Sequence, residues 1–93
     1  MSDKEAFYDK LKFQLEDTTN FPSDYMYKFI VPGSGNQEEE VKRVFNSGGP
    51  VINTKKSKNG KYISISIILK IKNADEVISY YRKVEKIEGI ISL

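Results

Sequence analysis

The sequence contains neither cysteine nor histidine. Without cysteine there is no disulfide framework and no thiolate metal site. Without histidine the commonest general base, the commonest metal ligand and the side chain that titrates near neutral pH are all missing. No apolar run approaches the roughly 20 residues of a membrane-spanning helix. The opening Met1-Ser2-Asp3-Lys4-Glu5 also lacks the basic-then-apolar order of a signal peptide. A strong excess of one charge sign is absent as well. Fifteen basic against 13 acidic residues leave a formal net charge of +2, too balanced for a dedicated nucleic-acid binder. The simplest expectation is a cytoplasmic protein with no metal, no cofactor and no membrane partner.

What is present is enough for one domain with a single two-layer core: 93 residues, 39% of them hydrophobic. The longest β pattern runs from Lys61 to Lys72, KYISISIILKIK. Side chains alternate along a strand, so Ile63, Ile65, Ile67, Leu69 and Ile71 share one face, and Tyr62, Ser64, Ser66, Ile68, Lys70 and Lys72 the other. Lys58-Asn59-Gly60 leads into it. Asn59-Gly60 is a strong hairpin signal, with both residues expected at positive φ in a tight primed turn, and pairs this strand with Val51–Lys56. Tyr25–Val31 reads as a further strand ended by Pro32-Gly33, with Tyr27, Phe29 and Val31 inward and Met26, Lys28 and Ile30 outward. Ile87–Leu93, interrupted by Gly89, reads as a last short strand.

Three helices complete the pattern. Ser2 to about Glu16 opens with a capping box of Ser2 and Glu5 and carries an apolar stripe of Phe7, Leu11 and Leu15, with Tyr8 beside it. Phe13 lies off this narrow stripe, which predicts a helix at the edge of the domain. Asn36, with Glu39 three positions on, caps a second helix that buries Val41, Val44 and Phe45 and stops at Gly48-Gly49-Pro50. Asn73 and Glu76 cap a third, with Val77, Tyr80, Tyr81 and Val84 inward. After the first helix the order is βαββαβ. This predicts an α+β, ferredoxin-like two-layer sandwich: a four-stranded antiparallel sheet with two helices on one face. Residues 1–20 are then an N-terminal helical extension and 21–93 the ferredoxin-like domain.

Phe21-Pro22 before Tyr27-Lys28-Phe29-Ile30, then Ser57-x-x-Gly60-x-Tyr62-x-Ser64, then a capped helix and a terminal strand, resemble the small bacterial YbeD-like proteins. The resemblance covers about Phe21 to Leu93 and implies the same ferredoxin-like fold, which has been likened to the regulatory ACT domains that bind amino acids. Enterobacterial members of that family are associated with regulation of lipoate metabolism. This chain departs from the better-known members in its extra N-terminal helix, its lysine-rich turn and its lack of cysteine and histidine.

None of the matching motifs is catalytic, so the candidates are binding surfaces. If the helices cover one side of the sheet, the other side carries Met26, Lys28, Ile30, Tyr62, Ser64, Ser66, Ile68 and Lys70. Apolar groups there need a cover: a partner protein, a second copy, or the N-terminal helix. RNA is a third kind of occupant for such a face, but Tyr62 is the only aromatic placed on it. A second candidate is the cluster Lys55, Lys56, Lys58 and Lys61. It reads either as an anion- or partner-binding edge or as lysine that keeps an outer strand from pairing with other sheets. Glu38, Glu39 and Glu40 suit the start of a helix dipole, and Glu85 and Glu88 suit solvent. Gly33-Ser34-Gly35-Asn36 lacks the lysine of a phosphate loop. The expectation is a non-enzymatic binding or regulatory domain that docks a partner protein, or itself, through the open sheet face. An ACT-like small-molecule sensor is the alternative and RNA binding a weaker one.

Overall fold

The computed structural model describes residues 3–93. Its elements follow the expected order: α1 Asp3–Thr18, β1 Ser23–Pro32, α2 Gln37–Val44, a single 3-10 turn at Asn46–Gly48, β2 Val51–Lys56, β3 Tyr62–Ile71, α3 Ala74–Val84 and β4 Ile91–Ser92. The strands form one antiparallel sheet in the order β2-β3-β1-β4. The two longest and most apolar strands, β1 and β3, therefore lie in the middle. They pair over ten positions, from Ser23 opposite Ile71 to Pro32 opposite Tyr62.

Alternation decides the two faces. Tyr27, Phe29 and Val31 of β1 and Ile63, Ile65, Ile67, Leu69 and Ile71 of β3 are buried under the helices. Val41 and Phe45 from α2 and its end, and Val77, Tyr80 and Val84 from α3, close the core from above. Aromatic rings fill its centre. Phe45 stacks on Tyr80 at a centroid separation of 4.7 Å, and Tyr27 lies 5.0 Å from Phe45. Tyr27 is fully buried, so its hydroxyl needs a partner and finds the carbonyl of Val77 at 2.9 Å. Burial raises the Tyr27 phenol well above its ordinary pKa. Tyr81 is also raised, first by burial and then by its hydrogen bond with Tyr25, 3.0 Å between hydroxyls.

α1 packs antiparallel beside α3, on the helical side of the molecule. Tyr8 and Leu15 are buried there and Leu11 is half-buried, while Phe7 stays 62% exposed. The inward stripe is thus centred on Tyr8 and not on Phe7. Its ring lies under the Arg82 guanidinium, 4.5 Å away, and its hydroxyl donates to Glu85 Oε2 at 2.5 Å. Burial, then the bond to Glu85, pushes the Tyr8 phenol up to about 12. Glu5 accepts two hydrogen bonds from Arg82, and Lys12 pairs with Asp75 at 3.1 Å. The expected capping box of Ser2 and Glu5 involves Ser2, which lies outside the described residues.

Several local expectations are corrected. Asn36 precedes α2 as foreseen, but at φ −110° and ψ 19° its side chain makes no capping bond, and its carbonyl instead accepts from Glu40 N–H. Asn73 does cap α3 by accepting from Glu76 N–H, but the Glu76 carboxylate turns to the N–H of Lys72. The β2–β3 turn is not of the primed type. Among the described residues no non-glycine has a positive φ, so within this turn only Gly60, at +72°, enters the left-handed region. Gly60 N–H closes the turn on Ser57 C=O, while Asn59 Oδ1 accepts from Ser57 Oγ and Lys61 N–H. That is a type I turn followed by a left-handed glycine, in which the Asn side chain bonds locally. The last strand is only Ile91–Ser92. Ile87 to Ile90 form turns instead, bonding back to Val84 and Ile87, with Gly89 at φ +76°.

Candidate functional site

β1 and β3 carry all eight residues expected on the open face, and their register places them side by side. Met26 lies opposite Ile68, Lys28 opposite Ser66, Ile30 opposite Ser64, and Asp24 opposite Lys70. The outer strands extend these rows. On β2, Val51 faces Ile68, Asn53 faces Ser66 and Lys55 faces Ser64; on β4, Ile91 faces Ile30. Leu93 N–H bonds to Lys28 C=O, which continues that edge by one residue.

The face is therefore banded across the strands. One row, Val51–Ile68–Met26, is wholly apolar. The next, Asn53–Ser66–Lys28, is polar. The third, Lys55–Ser64–Ile30–Ile91, begins polar and ends apolar. Tyr62 closes one end opposite Pro32. Met26, Val51 and Tyr62 are 51%, 59% and 53% exposed, while Ile30 and Ile68 beside them are partly buried. α1 does not cover this face, because its contacts run to α3 on the opposite side of the sheet. Sequence reasoning missed Val51, Asn53, Ile91 and Leu93. Their faces depend on how β2 and β4 register with their neighbours.

The hairpin lysines do not form one group. Lys55 points with the open face, Lys56 lies on the helical side of β2, and Lys58 and Lys61 flank the turn. Lys61 C=O is drawn inward to accept from Gly33 N–H at 2.7 Å, so the end of β1 supports the turn. A shallow hollow of about 190 Å³ opens between Ile30, Lys55, Lys56, Ser57, Tyr62 and Ser64. A second, of about 420 Å³, lies between Pro32, Ser34, Asn59, Gly60, Lys61 and Tyr62. Tyr62 is the wall they share. Among the described residues no charged side chain is buried, and no cluster of three or more Asp or Glu is placed to hold a metal ion. No helix of the described residues is long and apolar enough to cross a membrane.

Strand order, two helices on one side and an uncovered face on the other define a ferredoxin-like domain. The chain belongs to the family described as "Protein of unknown function (DUF493)", whose profile matches residues 16–93. This agrees with the YbeD-like resemblance of the sequence. Most of α1 precedes the matched stretch. A search of curated proteins finds no match. Among solved structures, the chain is similar to the solution structure of protein HP0495 from H. pylori, with a TM-score of 0.63 and 19% identity over 82% of this chain and 86% of that one. It is also similar to the ACT domain from GTP pyrophosphokinase of Chlorobium tepidum, with a TM-score of 0.54 and 13% identity over 76% of this chain and all of that domain. At these identities the likeness concerns the fold.

Proposed function

We propose that this domain is a non-enzymatic, cytoplasmic regulatory module that docks another protein through the open face of its sheet. The observation that carries the reading is the uncovered apolar row Val51–Ile68–Met26, left free because α1 is fastened to α3 on the other side. A sheet face covered by nothing has no folding reason to present apolar groups across three strands. The composition is in keeping with a binding role: the sequence lacks cysteine and histidine, and the displaced tyrosine pKa values are accounted for by core packing and the α1–α3 seam. The test is site-specific photo-cross-linking in cells, with the reactive residue at Met26 or, as a control on α2, at Glu39. A discrete adduct from position 26 alone is expected. Adducts from position 39 alone, or equal adducts from both, would overturn the reading.

The Tyr62 hollows and the likeness to an ACT domain support a second reading, a small-molecule sensor. A ligand that binds only the native state raises the unfolding temperature. A flat response to amino acids, lipoate and nucleotides would exclude these as ligands.

A further inference from the structure

Charge is divided between the two layers. Residues 23–32 and 51–72, the three long strands and the hairpin turn, hold seven lysines and one acid, Asp24, for a formal +6; the rest of the chain holds eight basic and twelve acidic residues, for −4. The ion pairs follow the same division. Lys4–Glu85, Lys12–Asp75, Lys42–Glu38 and Arg82–Glu5 lie in the helical layer, and Lys72–Glu76 joins the end of β3 to α3. Among the described residues Lys28, Lys55, Lys56, Lys58, Lys61 and Lys70 form no ion pair. Lys10, Arg43, Lys83 and Lys86 outside these strands form none either, but the acids of the chain lie around them, whereas the open face carries Lys28, Lys55 and Lys70 against a single acid, Asp24, across from Lys70.

We infer that the occupant of the open face is an acidic amphipathic helix of another protein. This rests on the docking reading above and adds the chemistry of the partner. The apolar row crosses three neighbouring strands, spaced about 4.8 Å apart. One stripe of an α-helix presents side chains about every 5 Å along its axis. A helix lying across the strands therefore sets its i, i+3 or i+4, and i+7 positions over Val51, Ile68 and Met26. Lys70 stands two positions along β3 on one side of that row, and Lys28 stands two positions along β1 on the other, with Lys55 beyond it. Carboxylates flanking the apolar stripe of the helix meet these lysines on both sides. A second copy of the same face would bring Lys28, Lys55 and Lys70 against their own kind, at an electrostatic cost. A nucleic acid would satisfy the lysines but leave an aliphatic row with no aromatic in it under its bases.

The test is selection of displayed random peptides of helical length on the full chain. Enrichment of Asp and Glu around apolar residues at helical spacing is expected, with affinity falling about tenfold or more from low to high salt as the charges are screened. A folded Lys28→Glu, Lys70→Glu variant should lose these peptides and bind analogues in which lysine replaces the acids. Peptides without acid enrichment that are lost on Ile68→Glu but kept by the lysine variant would overturn the acidic helix and leave the docking face standing. Peptides indifferent to both variants would overturn the docking face itself. Fluorescent single-stranded RNA bound more tightly than any peptide would overturn the inference in favour of a nucleic acid. A dimer in sedimentation velocity, abolished by Ile68→Glu, would overturn it in favour of a second copy.

Discussion

Arg82 and Glu5 meet fork against fork across the seam between α3 and α1, with Nη1 and Nη2 donating to Oε1 and Oε2 at 2.6 and 2.8 Å. The same guanidinium lies over the ring of Tyr8, whose hydroxyl reaches Glu85. Beyond this polar cluster and the Lys12–Asp75 pair, α1 is held by Leu11 and Leu15, a small apolar contact for sixteen residues. Its attachment to the domain is the part most exposed to single substitutions.

Arg82→Ala is expected to loosen α1 without unfolding the sheet, because it removes the fork and the cation over Tyr8 together. Amide hydrogen exchange should quicken in residues 3–18 while β1 and β3 keep their protection. Arg82→Lys should recover only part of the effect, since an ammonium group cannot present two parallel donors. Equal loss of protection throughout the chain would refute this.

The same seam sets two pH limits. The hydrogen bond from Arg82 holds the Glu5 carboxyl below its ordinary value. A depressed acid contributes stability above the unfolded pKa and loses it as pH falls through the folded one, so the Glu5 contact should weaken in acid and loosen α1 there. Tyr8 is shifted the other way, to about 12 by burial and by Glu85. Its contribution is complete below the ordinary phenol value of about 10 and disappears as pH rises toward the folded one. Once the intrinsic base catalysis of exchange is divided out, the protection of α1 should therefore be flat between neutral pH and roughly pH 9, then fall over the next three units. Tyr8→Phe should abolish that alkaline step.

Gly33 and Gly60 should respond differently to alanine. A Cβ on Gly33 would lie 2.1 Å from the carbonyl oxygen of Gly60, backbone against backbone. Gly33→Ala is therefore expected to cost about 3 kcal/mol or more, because the hairpin turn must move. Gly60 has open space around it but a φ of +72°, so Gly60→Ala should cost only the conformational term, about 1–2 kcal/mol. Urea unfolding of both variants measures the difference, and equal costs would count against the close approach.

Adjacent strand positions should separate core from open face. Phe29→Ala empties a fully buried site and is expected to cost about 3–5 kcal/mol. Tyr27→Phe removes only the bond to Val77 and should cost about 1 kcal/mol. Met26→Ala, half-exposed on the other face, should stay within about 0.5 kcal/mol. A large loss at Met26 would mean that the face is part of the core.

Much of the fold is legible in short-range pattern. Period-two alternation along β1 and β3 separates buried Phe29 and Ile65 from outward Met26 and Ser64, and Asn73 marks the start of α3 because its side chain bonds three residues ahead. The open-face candidates on β1 and β3 follow from the same alternation. The candidates on β2 and β4 do not. The face of Val51 depends on a turn in which Gly60 alone takes positive φ, and Ile91 reaches the sheet only after turns around Gly89. Phe7 and Tyr8 show the same limit on α1. Four-residue spacing favours Phe7, but a guanidinium from α3 selects Tyr8.

By itself, the sequence determined the element types, the two faces of the central strands and the absence of thiol and imidazole chemistry. These depend on residues two to four positions apart, or on composition alone. Tertiary structure decided that α1 clasps α3 instead of covering the sheet, and that unpaired lysines border the uncovered apolar row. Glu5 and Arg82 are 77 positions apart in the chain. No local pattern relates them, because their meeting depends on how two finished surfaces fit.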